Sequence, residues 1–453
     1  MLLARLLEPA DFGLLSMAAV FTGLMQQLQD LGTGQALIQI DAVSARTQQV
    51  VFTISVAMSA ALWALLTLSA PLIAAFYGDA RIIPVLRVLA LSFPISAFGV
   101  VPAGLMRRDL SLRGDAFAAV ASMTTESVTA LILAWLGSGV WALVAGKLAG
   151  ALISAVSLSL ARPWRLGLRL RESEAGYIFR FGGSVTLASL LWYAYSNADF
   201  LIVGRFLGPG PTGLYTMAWN LAKIPYDRLW SVLNPLILPV FSRARDDRVN
   251  LGRILIRMAR LTALLTAPAV AGLGLVAPDV VAVFLGAEKW SGAVMSLRWL
   301  CLFGVFRACF VLLGSVLVSV GRVGQALRFN ALSCLVMPLC FWIGQRFGPA
   351  GVAAAWALAY PVVSAGLLLP RVLEETRLSF ADYMRPMLRP FGATLGMALA
   401  VALVQWFLPL RRAEGLAVQL AVGAFSYLAL ARWLEGDLLG ELRALARDAR
   451  RGL

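Results

Sequence analysis

The sequence predicts an all-α polytopic membrane protein: two six-helix lobes that repeat each other in parallel, plus two C-terminal helices, with a shortened first helix. Three observations carry this. The 453 residues are 60% hydrophobic and 14% charged, with mean hydropathy +0.80, whereas a soluble domain is about a quarter charged. Apolar segments long enough to cross a hydrocarbon core of about 30 Å recur thirteen times. The stretch ARLLEPADFGLLSMA at 4–18 returns as GRFLGPGPTGLYTMA at 204–218. Aligned from position 3, seven of sixteen residues are identical: Arg5/Arg205, Leu7/Leu207, Pro9/Pro209, Gly13/Gly213, Leu14/Leu214, Met17/Met217 and Ala18/Ala218. Duplicated hydrophobic halves are a hallmark of transporters.

In chain order the predicted spans are 12–38, 50–76, 83–105, 116–136, 140–160, 182–206, 214–240, 260–286, 292–320, 329–346, 350–370, 387–408 and 415–434. Arg205 closes a full span, while its repeat partner Arg5 has four residues before it, so the first span of a fourteen-span design is expected to lack most of its length. The echo continues, with LSAPLIAAFYG at 68–78 answering LVAPDVVAVFLG at 275–286. These boundaries divide the chain into an N-lobe (1–160), an interfacial connector (161–181), a C-lobe (182–370), extra spans (371–434) and an amphipathic tail (435–453).

The net charge of +15 has a topological explanation. Counting the remnant as span 1, loops after even spans and the C-terminal tail hold twenty-six basic residues, and loops after odd spans with their flanks hold nine. The positive-inside rule therefore places the even loops and the C-terminus in the cytoplasm, and no nucleic-acid partner is needed to account for the charge. The repeat displaces the chain by an even number of spans, so the halves are parallel and a pseudo-twofold axis along the membrane normal is expected.

Enzymatic signatures are missing: no Walker A, HExxH, CxxC or GxSxG pattern occurs, and the chain contains no histidine. Cys301, Cys309, Cys334 and Cys340 fall in apolar runs without metal spacing, and neither a metal nor a cofactor is expected. Chemistry must rest on polar residues at bilayer depth, where charge is costly enough to mark function. Lys223 lies roughly 14 Å into its span at 1.5 Å per residue, Asp227 follows at i+4, and Arg228 adds a second cation. The offset of the repeat maps this cluster onto Gln26, Gln27 and Asp30, so both are expected to line one cavity. Lys147, Arg307 and Asn197 are further substrate-binding candidates, and Asp199, Glu126 and Asp30 are candidates for ion coupling. The plainer alternative for each is an internal pair that fixes helix packing.

Together with QDLGTGQALIQ at 29–39, FGVVPAGLMRRDL at 98–110, NADFLIVGRFLGPGPTGLYTMAW at 197–219 and FLGAEKW at 284–290, the repeated motif resembles the Wzx-type polysaccharide flippases. These are a branch of the MOP exporter superfamily, alongside the MATE drug exporters and the lipid II flippases. The resemblance implies an inner-membrane protein that moves an undecaprenyl-pyrophosphate-linked oligosaccharide, an O-antigen or exopolysaccharide unit, between leaflets by alternating access. It also implies contact with membrane lipid and with the polysaccharide polymerase and chain-length machinery. A MATE-like exporter of small molecules is the alternative within transport, disfavoured by the mid-span cations. A membrane glycosyltransferase or polymerase would need a large periplasmic loop, and the longest odd loop is about ten residues.

Overall fold

The computed structural model describes residues 1–29, 44–109, 111–169, 172–408 and 412–435, and these form helices joined by turns, with no strand among them. The helices are α1 (Leu2–Leu6), α2 (Pro9–Gln29), α3 (Ala45–Tyr77), α4 (Ile82–Ala90), α5 (Ser92–Arg108), α6 (Leu112–Trp135), α7 (Val140–Ala161), α8 (Glu172–Leu207) and α9 (Pro209–Arg243). They continue with α10 (Arg248–Leu275), α11 (Val294–Phe310), α12 (Leu313–Ser319), α13 (Val323–Gly344), α14 (Gly348–Leu367), α15 (Leu369–Thr376), α16 (Leu388–Phe407) and α17 (Arg412–Glu435). Short helical turns fill 277–293, including a π segment at Val281–Gly286. Among the described residues nine helical stretches are long and apolar enough to cross a membrane, one of which, 323–376, contains both α13 and α14.

Local chemistry sets the boundaries. Ser44 caps α3 by accepting from the Thr47 amide at 3.1 Å, and Gly78 ends it in the left-handed region at φ 72°, its amide returning to the Ala74 carbonyl. Gly208, at φ 82°, is the single residue that turns the chain between Leu207, where α8 ends, and Pro209, which opens α9. Two helices begin ten or more residues earlier than hydropathy predicts. Asp247 caps α10 through the Asn250 amide, so this helix starts at Arg248 and not near residue 260. Its first turns bury Leu251, Leu255 and Ala259, while Arg253 and Arg257 lie on the other sides. Likewise α8 starts at Glu172, inside the segment expected to be connector.

The chain divides into two compact units, Met1–Thr216 and Met217–Leu453, so α8 and the first turns of α9 belong with the N-terminal helices. One cause is visible in Tyr193 of α8, whose hydroxyl donates to the carbonyls of Ala19 and Val20 in α2. The core of the first unit gathers Leu14, Met17 and Ala18 of α2 with Leu66, Leu86 and Val144. Helices α6 and α7 approach closely because Gly146 and Gly150 face the Glu126 carbonyl and Ser122, the small-residue packing usual in membranes. In the second unit Leu251, Leu255, Leu312, Leu317 and Val372 form the principal core, and α16 and α17 seat on α10. Outward faces are apolar instead of polar: Leu68, Leu160, Trp406 and Phe425 are all more than three-quarters exposed. A surface of that kind is stable against lipid and would be costly in water.

The two copies of the repeat meet inside the first unit. A Cβ built on Gly13 would stand 2.6 Å from the Pro209 carbonyl carbon, and one built on Gly213 would stand 2.5 Å from that of Pro9. Thr216 Oγ1 donates to Ser16 Oγ at 2.9 Å, again joining equivalent positions. Such reciprocity, in which i meets j and j meets i, is the signature of a local twofold relation between the motifs.

Candidate functional site

In the first unit α2, α5, α6 and α7 enclose a cavity of 720 Å³ lined by Gln26, Gln29, Ser96, Arg107, Ser122, Glu126 and Lys147. Lys147 Nζ lies 3.2 Å from Glu126 Oε1, and the two side chains remain 45% and 41% exposed. An unscreened charge at the centre of a bilayer costs about 2.5–3.5 kcal/mol, so charges left this open within spans require a wet cavity. Gln29 is buried and held: its Nε2 donates to Ser59 Oγ at 2.8 Å and Ser96 Oγ at 3.0 Å, tying α2 to α3 and α5. Gln26, three residues earlier, is exposed on the cavity, and Gln27 is half-buried. Asp30 lies outside the described residues.

Of the candidates on α8, Asp199 is enclosed and Asn197 is half-buried. Asp199 is fully buried, with Oδ2 accepting from the Tyr215 hydroxyl at 2.6 Å and Oδ1 from the Phe200 amide at 2.9 Å. Asn197 spends its amide on the Tyr193 carbonyl at 2.9 Å, one turn back along its own helix. Neither is among the residues lining the cavity of the first unit.

In the second unit Lys223 Nζ sits 3.4 Å from Asp227 Oδ2, with 48% and 52% of the side chains exposed. Asn220, Lys223, Asp227 and Ser231 are all exposed at helical spacing, so α9 carries one polar stripe, with Arg228 exposed beside it. The next face of the same helix holds Arg307 of α11, whose guanidinium lies 4.1 Å over the Tyr226 ring and 5.7 Å from Phe303. This cation–π contact fixes a half-buried cation against an aromatic wall of Trp219, Phe303, Trp356 and Tyr360.

Arg107, two residues beyond the predicted span 83–105, lines the cavity as well, and so do Ser96 and Ser122; none of the three is a candidate from the sequence. The signal available was the spacing of Ser92 and Ser96, an i,i+4 polar pair in an otherwise apolar span. No spacing rule could have brought Glu126 and Lys147 together, since they meet across two helices.

Repeated helical motifs, an apolar exterior, nine helical stretches of membrane-crossing length among the described residues and a half-exposed ion pair, Glu126 with Lys147, inside two of them define a multi-pass membrane transporter. The chain belongs to the polysaccharide biosynthesis protein family, whose model matches residues 2–295. It is similar to the lipopolysaccharide biosynthesis protein WzxC of Escherichia coli K12, at 25% identity over 87% of this chain and 80% of that one. It is also similar to the teichuronic acid biosynthesis protein TuaB of Bacillus subtilis 168, at 26% identity over 90% and 86%. The fold is shared with a structure of the lipid II flippase MurJ in an inward closed conformation, with TM-score 0.80 and 13% identity over 97% of this chain and 95% of that one.

Proposed function

We propose that the protein flips an undecaprenyl-pyrophosphate-linked oligosaccharide from the cytoplasmic to the periplasmic leaflet of the bacterial inner membrane, by alternating access. The observation that carries this is the pairing of half-exposed charges within spans, Glu126 with Lys147 and Lys223 with Asp227. A pyrophosphate and several sugars cannot enter hydrocarbon, and a wetted polar path removes that barrier without covalent chemistry. Lys147, Lys223, Arg228 and Arg307 attract the phosphates, Gln26 and Gln27 offer amides to sugar hydroxyls, and the polyprenyl tail stays in lipid. Asp30, Glu126 and Asp199 are the candidates for ion coupling, and Asp30 and Asn197 are further candidates for contact with the substrate. Sugar units delivered to the outer leaflet would pass to a polymerase and its chain-length partners, and the C-terminus would lie in the cytoplasm.

A MATE-like exporter of small cations would be served by carboxylates in excess, whereas here the four mid-span acids, Asp30, Glu126, Asp199 and Asp227, are matched by four cations, Lys147, Lys223, Arg228 and Arg307. The test is complementation of a strain lacking the gene. The intact protein should clear lipid-linked oligosaccharide from the cytoplasmic leaflet, and Lys223→Ala/Arg228→Ala should let it accumulate. Full clearance by that variant at equal abundance would refute the cationic path.

A further inference from the structure

The second unit carries a second polar cavity, of 780 Å³, at the ends of α9, α12 and α15 on the arginine-rich face of the chain. Arg245, Arg248 and Arg322 line it, opposed by Asp246 and Glu375. Glu375 is 8% exposed and is the structural anchor: Arg322 Nε donates to its Oε1 at 2.8 Å, and an Arg248 Nη lies 3.4 Å from its Oε2. A guanidinium has five donors in a fixed fork, so both arginines keep donors beyond those given to Glu375. Arg245 pairs only loosely, at 3.6 Å, with Asp246, which is 91% exposed. The wall is completed by Gly321 and Arg322, which lead into the 22-residue helix α13. Arg322 is its N-cap residue and makes no side-chain cap bond, so its guanidinium is directed to Glu375 instead of to the first turn of the helix. At Gly321, φ 79°, a Cβ would meet nothing within 4 Å, leaving the entrance open.

We propose that this cavity is a phosphate-binding site, distinct from the transport path and independent of what is transported. Three guanidinium groups, two of them held from behind by a buried carboxylate, together form a preset receptor for a tetrahedral dianion. The phosphate can come from a membrane lipid headgroup or from a soluble phosphate ester, and the chemistry of recognition is the same for both.

The test uses the full chain in detergent and in lipid bilayers. Inorganic phosphate and pyrophosphate are titrated against the detergent-solubilised protein, with thermal stabilisation and calorimetric affinity as readouts. A second arm compares the protein in phosphatidylglycerol and phosphatidylcholine nanodiscs. Arg245→Gln should weaken binding about tenfold without lowering the unliganded melting point, because its partner Asp246 is exposed. Asp246→Asn should tighten it, and Arg322→Lys, which keeps the charge but loses the fork, should weaken it. Response to pyrophosphate identifies a soluble source, and response only to phosphatidylglycerol identifies a headgroup; both support the site. No response in either arm, or a response unchanged in Arg245→Gln and Arg322→Lys, overturns it.

Discussion

Replacing Gly13 by alanine tests whether the repeat motifs are bound to each other by backbone contact. In isolation the change favours α2, since alanine is better than glycine inside a helix by about 1 kcal/mol. In the structure the new Cβ would lie 2.6 Å from the Pro209 carbonyl carbon and 3.0 Å from the Gly213 amide nitrogen, whereas ordinary contact begins at 3.4 Å. The Pro209 carbonyl oxygen is nearer still, so the two segments must move apart by more than 0.8 Å, the difference of 3.4 and 2.6. Overpacking of this kind costs about 1–3 kcal/mol. The same movement stretches the 2.9 Å Thr216–Ser16 hydrogen bond, which contributes about 1 kcal/mol. After the helix gain is subtracted, the net destabilisation is about 1–3 kcal/mol. Because one separation accommodates both new methyls, Gly13→Ala/Gly213→Ala should cost less than the sum of the singles. Gly210→Ala is the control, as a Cβ there meets nothing within 4 Å. Reversible unfolding of the purified protein in detergent gives all four values. A Gly13→Ala protein as stable as the parent, or strictly additive singles, would refute the close contact.

Two further expectations follow from the ion pairs. Exchanging the partners, Glu126→Lys/Lys147→Glu, should leave stability within about 1 kcal/mol, since a half-exposed pair contributes little. If Lys147 serves the substrate phosphate, the exchange still abolishes clearance of lipid-linked oligosaccharide; restored clearance would assign the pair to packing alone. Outside the spans, the Arg81 guanidinium donates to both Asp79 oxygens, the shortest bond being 2.7 Å, and holds this carboxyl below its usual range. A depressed folded value means stability is present above the unfolded value and lost as the pH falls through the folded one. Asp79→Asn should therefore flatten part of the acid limb of a stability profile, by less than 1 kcal/mol because the pair is at the surface; an unchanged limb would show that the bond does not persist in solution.

The membrane class, the repeat and most spans were legible in the sequence because lipid imposes a local rule: about 20 apolar residues must satisfy their own backbone as a helix. The arginines of α10 defeated that rule, since hydropathy averages over a helix whose buried face is a stripe. Lys223 and Asp227 were readable as a pair for the same local reason, being one turn apart on α9. What the chain could not announce is which distant groups meet. Packing alone sets Glu126 of α6 against Lys147 of α7 beside one cavity, encloses Asp199 of α8 under Tyr215 of α9, and brings Arg248 and Arg322 to Glu375 with Arg245 beside them. The repeat itself shows both sides: its identity is written in the residues, but the reason Gly13 and Gly213 must lack a side chain appears only where the two copies touch. Periodicity is a property of neighbours along the chain, whereas a site depends on the distances between helices, which packing alone determines.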